Sequence, residues 1–350
     1  MPTIDADCHV IESDHTWDFL DDADQRFRPQ PFESDANPGV PYWVIDGKVR
    51  PRPFGTLTRG SRSEELSGFS RTSLATRSME DLGTRLKHMD ELGIDTQVLY
   101  PTVYLTQISQ NPETELALAK SYNRWLAEVW KEGGGRLRWA AVPPLLSMDA
   151  VPEQLRFAKE HGACGVFMRG FEGDYLISDP YFYPLYEEAS ALDLPICVHA
   201  GCGNPAFTEL TKNEAFPRNK FPVLSAFHSF LYQGTPELFP KLRFGFIEVA
   251  AQWIPYMLVD LKRRIERDGG AFSSKPMADG RMFVACQTND DLGYILSYGV
   301  EDNLVIGSDY GHSDTSSELE ALRELRTNGN IDPSIIDRIL GDNPRRLYGI

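Results

Sequence analysis

The sequence has few cysteines and little positive charge. It contains five cysteines in 350 residues, an odd number with no Cys-x-x-Cys spacing, which favours small buried thiols over a disulfide framework. Thirty-five lysines and arginines stand against 51 aspartates and glutamates, and the net charge is −16. This balance argues against nucleic acid or an anionic membrane as a partner. It does not restrict a small-molecule substrate, because a basic pocket can lie inside an acidic protein.

Long apolar stretches are also missing. No run approaches the roughly eighteen continuous apolar residues that a membrane-spanning helix needs. A secretory signal has a basic segment followed by an apolar one. The first fifteen residues contain acids and show no such pattern. These absences predict a cytoplasmic protein without a membrane partner.

Eight short apolar runs, separated by helical patterns, are the main organising feature of the chain. This alternation is typical of parallel βα units, and eight such strands close a barrel, which typically takes about 250 residues plus insertions. We therefore predict the α/β class, a (β/α)8 TIM barrel, as a single domain over residues 1–350. The predicted strands cover residues 3–7, 97–101, 139–143, 165–169, 195–200, 244–249, 282–287 and 304–309.

Residues 22–77 interrupt the alternation after the first strand. They are rich in Pro, Gly, Arg and Ser, but two strand-like runs flank Asp46-Gly47, a dipeptide typical of hairpin turns. We predict an inserted hairpin followed by a mobile Arg/Ser loop. The insertion is either a structural flap or a lid that covers substrate, because it leaves the end of the barrel at which active sites lie.

Carboxylates and imidazoles stand where three of the predicted strands end. Asp7 and His9 end the first strand, His199 ends the fifth and Asp309 ends the eighth. Because the carboxyl ends of barrel strands converge on one face, these side chains are expected to meet. They are ligand types that a divalent metal accepts, so the sequence indicates a metalloenzyme.

Seven motifs spread over nearly the whole chain carry a family resemblance. They are Ile4-Asp5-Ala6-Asp7-Cys8-His9, Met89-Asp90-Glu91-Leu92-Gly93-Ile94-Asp95, Tyr100-Pro101-Thr102, Val198-His199-Ala200-Gly201, Phe239-Pro240-Lys241-Leu242, Gly307-Ser308-Asp309-Tyr310-Gly311-His312 and Asp342-Asn343-Pro344. Together they resemble the amidohydrolase superfamily, and within it the amidohydrolase-related branch that includes aminocarboxymuconate-semialdehyde decarboxylase.

This resemblance implies one divalent metal, with zinc as the first candidate and manganese as the alternative. The implied ligands are Asp7, His9, His199 and Asp309. The first motif of the family is often His-x-His, whereas this chain has Asp7-x-His9, and the added charge leaves the identity of the metal open. The resemblance also implies a small-molecule substrate and a homodimer.

Two further residues are candidates for catalysis. His228, on a predicted helix, is equally well interpreted as a general acid or base and as a buried core histidine. Glu248 ends the sixth strand, where decarboxylases of the branch tend to carry a histidine. It would orient a metal-bound water or bind a substrate group, or else pair with an arginine. His312 follows the last strand and is expected to brace its loop.

Three residues are candidates for substrate binding. Arg169 ends the fourth strand, and its planar guanidinium suits a substrate carboxylate, although a pair with Glu248 or Asp309 is an equal alternative. Gln287 ends the seventh strand and would donate hydrogen bonds. Trp253 would stack on a flat ring or simply pack at the start of a helix.

The expected reaction is hydrolysis of an amide, ester or lactone bond in a small aromatic or cyclic substrate, or the reverse ring closure. Metal-bound water would lose a proton to Asp309, and the metal with His228 would stabilise the oxyanion. The alternative is non-oxidative decarboxylation of an aromatic acid, served by Arg169 and His228. Glu248 in place of histidine favours hydrolysis. A non-catalytic binding barrel would require the ligand positions to be vestigial.

Overall fold

Thirteen strands form the sheets of this computed structural model, which describes residues 2–35, 37–51, 72–312 and 316–350. Within these ranges the strands are β1 (Ile4–His9), β2 (Gln30–Ser34), β3 (Asn37–Ile45), β4 (Lys48–Pro51), β5 (Thr96–Tyr100), β6 (Leu137–Ala141), β7 (Ala163–Arg169), β8 (Phe171–Glu172), β9 (Tyr175–Leu176), β10 (Ile196–His199), β11 (Phe244–Ile247), β12 (Met282–Cys286) and β13 (Leu304–Ile306).

Eight of these strands are parallel neighbours in one sheet, in the order β1-β5-β6-β7-β10-β11-β12-β13. The segment after β13 returns to β1, because the N–H of Asp309 donates to the carbonyl of Asp7 (2.9 Å) and the N–H of His9 donates to that of Tyr310 (2.7 Å). These bonds join the two ends of the sheet. The predicted (β/α)8 barrel is confirmed, and all eight predicted strands lie within a few residues of those observed.

Helices cover the outer face of the barrel. The α-helices of the described ranges are α1 (Leu74–Arg77), α2 (Leu82–Leu92), α3 (Pro112–Glu132), α4 (Val151–Glu160), α5 (Tyr183–Ala191), α6 (Pro205–Leu210), α7 (Ala215–Asn219), α8 (Phe221–Tyr232), α9 (Thr235–Leu238), α10 (Ile254–Arg267), α11 (Pro276–Asp279), α12 (Leu292–Leu296), α13 (Ala321–Thr327), α14 (Pro333–Asp337) and α15 (Asn343–Tyr348). Short 3₁₀ helices cover Asp14–Phe19, Asp22–Phe27, Val103–Leu105, Met148–Ala150 and Pro180–Phe182, and a π-helix covers Arg338–Asp342.

The barrel strands are apolar because helices cover one face of the sheet and side chains fill the interior on the other. Every residue of β1, β7 and β12 is buried, as expected for strands enclosed on both faces. The five cysteines are free and buried, which confirms the interpretation as core thiols. None of the described helices is both long and apolar enough to span a membrane.

Strands β2, β3 and β4 form a separate antiparallel sheet inserted after β1. Asp46 and Gly47 join β3 to β4 with positive φ angles of 50° and 69°, which confirms the predicted hairpin turn. The Asp46 carboxylate accepts hydrogen bonds from the hydroxyls of Ser109 and, at 2.7 Å, Thr114 at the start of α3. The hairpin is therefore held against the barrel. The predicted Arg/Ser loop lies mostly outside the described residues.

Gly307 permits the close approach of β13 to β1. A Cβ atom at this position would lie 2.2 Å from the Cβ of Asp7, a separation that requires one strand to move. The glycine thus brings the end of β13 directly against a candidate metal ligand.

Candidate metal and substrate site

The carboxyl ends of the barrel strands bring together six acidic and imidazole side chains. All six are buried. Their ligand atoms form two groups that share His9, each with every atom within 4.8 Å of the others: Asp7, His9 and His199, and His9, Glu248, Asp309 and His312. We call this set the carboxylate–imidazole cluster. It contains all four ligands that the family resemblance implies, together with Glu248 and His312.

The imidazole of His9 is at the centre of the cluster. Its Nδ1 lies 3.1 Å from the carbonyl oxygen of Pro101, and since a carbonyl can only accept, Nδ1 carries the hydrogen. Its buried Nε2 has no hydrogen-bond partner within the described chain, yet lies 3.5 Å from Asp309 Oδ1, 3.7 Å from Asp7 Oδ1 and 4.0 Å from Glu248 Oε2. Burial, reinforced by two neighbouring imidazoles, lowers the pKa of His9 well below its usual value, so the ring is neutral.

His199 is oriented in the same way as His9. Its Nδ1 lies 3.0 Å from the carbonyl oxygen of Ala200 and therefore donates. Its Nε2 then faces Asp7 Oδ1 at 3.2 Å. An imidazole nitrogen and a carboxylate oxygen at this separation can both bind one divalent ion.

His312 is held by the hydroxyl of Thr102. The Thr102 hydroxyl donates its hydrogen to the carbonyl of Val10 (2.6 Å), so it accepts the Nε2 hydrogen of His312 at 2.9 Å. The Nδ1 of His312 then lies 3.0 Å from Asp309 Oδ1. The prediction that His312 braces its loop did not include this contact with Asp309. The signal in the sequence was its position three residues after Asp309.

A divalent metal fits this donor set. The nitrogen-to-oxygen distances in the cluster run from 3.0 to 4.0 Å, which is the separation expected for two ligands each about 2.0–2.2 Å from one ion. Imidazole nitrogens and carboxylate oxygens are its usual ligands. The unsatisfied Nε2 of His9 also indicates a missing cationic partner.

Two cluster residues have an unusual backbone conformation. Glu248 has a φ of 60° and Asp309 a φ of 50°. Both angles lie in the left-handed region, which residues other than glycine rarely adopt. Such a conformation costs about 1–3 kcal/mol and persists only where the surroundings impose it. Both residues direct carboxylates into the cluster. Strained backbone conformations of this kind concentrate at functional sites.

Glu12 supports the cluster indirectly, through the loop that follows β5. Its carboxylate accepts the backbone N–H groups of Thr102 (3.0 Å) and Val103 (2.9 Å), and it is buried. Burial raises the pKa of Glu12 to about 7. By fixing the loop after β5, Glu12 positions the hydroxyl that holds His312.

A cavity of about 530 Å³ lies beside the cluster, with Glu248 in its wall. Trp253, Phe216 and Leu224 supply apolar surface, and Lys220 and Arg218 supply positive charge. This volume is within the range of small-molecule pockets, and a mainly apolar lining with a few charged groups is typical of them. Glu248 connects the cavity to the carboxylate–imidazole cluster.

Trp253 and Gln287 differ in their relation to this cavity. The indole N–H of Trp253 donates to the carbonyl of Ala250 (2.9 Å), and its ring packs edge-on against Phe227 with centroids 4.9 Å apart. Trp253 is thus a fixed wall of the cavity. Gln287 is not among the described residues that line it, and the backbone N–H of Gln287 donates to Asp290 (2.9 Å).

Arg169 does not have the partners expected from the sequence. Its Nε and Nη2 donate to the two carboxylate oxygens of Glu172 at 2.9 and 2.5 Å, and its Nη1 donates to the carbonyl of Tyr104 at 3.0 Å. The predicted pair with Glu248 or Asp309 is therefore wrong, because an acid three residues further on occupies the guanidinium. The same pairing occupies Nε and Nη2, the two donors of the guanidinium that a substrate carboxylate would need.

His228 also lies elsewhere than the catalytic prediction requires. It is on α8 and outside both ligand groups of the cluster. Its Nε2 is 3.6 Å from a carboxylate oxygen of Asp260 on α10, its side chain is 26% exposed, and its ring stacks on Tyr232. It is neither a cluster member nor a fully buried core residue. The neighbouring Phe227 faces the barrel, so the helix turns His228 away from it.

Comparison with known proteins gives matches over the whole chain and over part of it. A family model described as Amidohydrolase matches residues 4–350. The gamma-resorcylate decarboxylase of Rhodococcus jostii (strain RHA1) is 31% identical over 136 residues, which are 36% of this chain and 41% of that protein. This chain therefore spans about two fifths of the length of the curated relatives that it matches.

Two solved structures show the same fold. The amidohydrolase map2389c from Mycobacterium avium subsp. paratuberculosis K-10 superposes with a TM-score of 0.79 at 19% identity, over 99% of both chains. A 5-carboxyvanillate decarboxylase from Novosphingobium aromaticivorans, complexed with manganese and 4-hydroxy-3-methoxy-5-nitrobenzoic acid, superposes with a TM-score of 0.66 at 16% identity, over 82% of this chain and 87% of that one.

Proposed function

We propose that this chain, which belongs to the amidohydrolase family, is a metal-dependent, non-oxidative decarboxylase of small aromatic carboxylic acids. The observation that carries this proposal is its similarity to curated proteins named gamma-resorcylate decarboxylase. The cavity beside Glu248 supports it, because a flat apolar wall at Trp253 suits an aromatic ring.

The preference for hydrolysis drawn from the sequence is wrong. It depended on Glu248 at a position where decarboxylases of the branch tend to carry a histidine, whereas the relatives found are decarboxylases. In the structure Glu248 belongs to the same ligand group as His9, Asp309 and His312. In its protonated form Glu248 carries no negative charge, so this one carboxyl group does not exclude a substrate acid nearby.

The proposed metal is Zn²⁺ or Mn²⁺, held by members of the carboxylate–imidazole cluster. The three imidazoles and the carboxylates of Asp7 and Asp309 suit either ion. The bound ion would orient the substrate's oxygen atoms and stabilise negative charge on them. Reconstitution of chelator-treated protein with each ion, followed by comparison of the rates, distinguishes the two.

Glu248 is the proposed acid of the reaction, because among the described residues it is the cluster member that lines the cavity. In its protonated form it would transfer a proton to the ring carbon that bears the carboxylate. The bond to the carboxyl carbon then breaks, its electron pair restores the aromatic ring, and carbon dioxide leaves. Glu248 regains its proton from water. His228 has no part in this scheme.

The proposal is tested by release of carbon dioxide from hydroxylated benzoates, beginning with 2,6-dihydroxybenzoate. The reaction is run in D₂O with Zn²⁺-loaded and Mn²⁺-loaded protein, and the product is examined by NMR for deuterium at the former carboxyl position. Glu248→Gln is expected to lower kcat by about 10²–10⁴-fold, the usual contribution of a positioned acid. Cleavage of aryl esters or lactones, with no carbon dioxide from any acid, would contradict the proposal.

A further inference from the structure

We propose that Lys220 and Arg218 form an anion-binding wall of the cavity and bind the carboxylate of the substrate. This inference deepens the proposed function and rests on it for the class of substrate. It replaces Arg169, whose guanidinium is occupied by Glu172.

Both cations lie where the chain passes from α7 to α8. Arg218 is within α7 and Lys220 directly precedes α8, and both side chains are half-buried. They line the same cavity as Glu248 and Trp253. A ligand in this cavity can therefore contact Glu248 of the cluster and two positive charges.

Neither cation has an acidic partner among the described residues. Across the described part of the chain, no carboxylate lies within 4.0 Å of Lys220 or Arg218, whereas Lys212 of the same connection pairs with Glu209. The ammonium of Lys220 donates to the hydroxyl of Ser316 at 3.0 Å, and Nη1 of Arg218 donates to the carbonyl of Lys212 at 2.9 Å. These hydrogen-bond acceptors are neutral oxygens, which do not cancel a positive charge, although the protein has a net charge of −16.

The acid that Lys220 influences is already occupied. Lys220 helps to lower the pKa of Asp290, but burial is the larger effect and raises it. One carboxylate oxygen of Asp290 accepts the backbone N–H groups of Ala251 (2.8 Å) and Gln287 (2.9 Å). Asp290 thus fixes the loops after β11 and β12 by hydrogen bonds to their backbone. The ammonium of Lys220 remains available to a ligand.

A carboxylate is the anion that this wall and its surroundings fit. Lysine and arginine make charge-assisted hydrogen bonds with carboxylates, while the indole of Trp253 and the side chain of Leu224 offer apolar surface to the ring that bears the carboxylate. The site should therefore distinguish an aromatic acid from its neutral amide, which has the same shape.

The test compares binding of 2-hydroxybenzoate and 2-hydroxybenzamide to the metal-loaded protein by isothermal titration calorimetry. Lys220→Met keeps much of the length of the side chain and removes its charge. It is expected to weaken benzoate binding about 10–100-fold, the equivalent of one lost charge-assisted hydrogen bond, and to leave benzamide binding unchanged. Arg218→Gln should give a smaller loss of the same kind, and Lys220→Arg should restore most of the affinity.

Lys212→Met is the matched control, since this lysine belongs to the same connection and has its own acidic partner. It should change neither affinity. Titrations repeated after chelator treatment separate the effect of Lys220 from any contact between the ligand and the metal. Equal weakening of both ligands by Lys220→Met, or no weakening of either, would overturn the inference.

The binding test does not depend on turnover. If Lys220→Met selectively loses benzoate affinity but no acid is decarboxylated, the anion-binding wall stands and the proposed reaction fails. If carbon dioxide is released and Lys220→Met changes neither KM nor benzoate affinity, the reaction stands and the anion-binding wall fails.

Discussion

The hydrogen on each imidazole of the cluster is fixed by an acceptor outside it. The carbonyl oxygens of Pro101 and Ala200 accept from the rings of His9 and His199, respectively. The hydroxyl oxygen of Thr102 accepts from the ring of His312. Each ring therefore turns its other nitrogen toward the cluster. Such supporting contacts raise the basicity of metal ligands and fix their orientation.

Thr102→Val is expected to weaken metal binding by about 10–100-fold, because it removes the acceptor that sets the tautomer of His312 while nearly keeping the side-chain shape. Competition with a chromophoric chelator measures the affinity. Thr102→Ser retains the hydroxyl and serves as the control. Equal affinity in the valine and serine variants would show that His312 is not held in this way.

Asp309→Asn and His199→Ala are each expected to reduce the bound metal from about one equivalent per chain to a small fraction. Elemental analysis of the purified proteins measures it. His228→Ala should retain the full content, because His228 lies beside Asp260 rather than in the cluster. Metal content that is unchanged in both of the first two variants would remove the basis of the metalloenzyme assignment.

At the scale of elements, the junction of β13 with β1 decides whether the cluster forms. The backbone bonds of Asp309 and Tyr310 to β1 place the acids of both strands side by side. Outside the barrel, α2 contributes to the same junction, since His88 Nδ1 lies 2.8 Å from the Tyr310 hydroxyl and Arg85 covers the Tyr310 ring at 3.6 Å.

Gly307→Ala is expected to destabilise the fold by about 1–3 kcal/mol, as overpacking at a tight contact usually does. The added Cβ would collide with Asp7, so metal affinity should fall as well. Urea unfolding measures the first effect and chelator competition the second. Gly329→Ala is the control, because nothing lies within 4 Å of a Cβ there. Normal stability of Gly307→Ala would mean that β13 has room to move.

At the scale of the whole molecule, buried acids make stability depend on pH. Glu115 is 5% exposed, its carboxylate accepts the N–H of Leu146 at 2.6 Å, and burial raises its pKa from 4.5 to about 7. The folded state therefore holds a proton that the unfolded state releases between these pH values. This contribution to stability is full below pH 4.5 and is lost as the pH rises through 7.

We expect the free energy of unfolding of metal-free protein to fall by on the order of 3 kcal/mol between these pH values on account of Glu115. Glu115→Gln should remove that part of the slope, because the amide oxygen still accepts from Leu146 and does not ionise. Denaturant titrations at several pH values measure it, with the exposed Glu113→Gln as the control. Parallel curves for the wild type and Glu115→Gln would contradict this account.

Much of this architecture was accessible from the sequence because parallel barrel strands are continuous apolar runs. The same rule placed Asp7, His9, His199 and Asp309 at strand ends, and the structure brings all four into the cluster. The role of each residue remains a prediction that the variants above address. Other site residues followed from tertiary contacts that strand patterns do not encode.

The hydrogen bond of Thr102 to His312 joins residues 210 positions apart and exists only because the barrel closes. The partner of Arg169 was local, since Glu172 stands three residues on, but the intervening turn does not follow from periodicity. The position of His228 could have been predicted from the sequence of its helix. Phe227 and Phe230 mark the side that faces the barrel, and His228 does not lie on that side.

The cluster draws its side chains from the first and the last strands of the barrel. Asp7 and His9 belong to the first barrel strand and are synthesised before Asp309 and His312, which follow the last one. A nascent chain can assemble Asp7, His9 and His199 once β10 has folded, but the second ligand group exists only after β13 pairs with β1. Binding of the proposed metal would therefore follow the last step of barrel closure, and a chain truncated before β13 would hold an incomplete cluster.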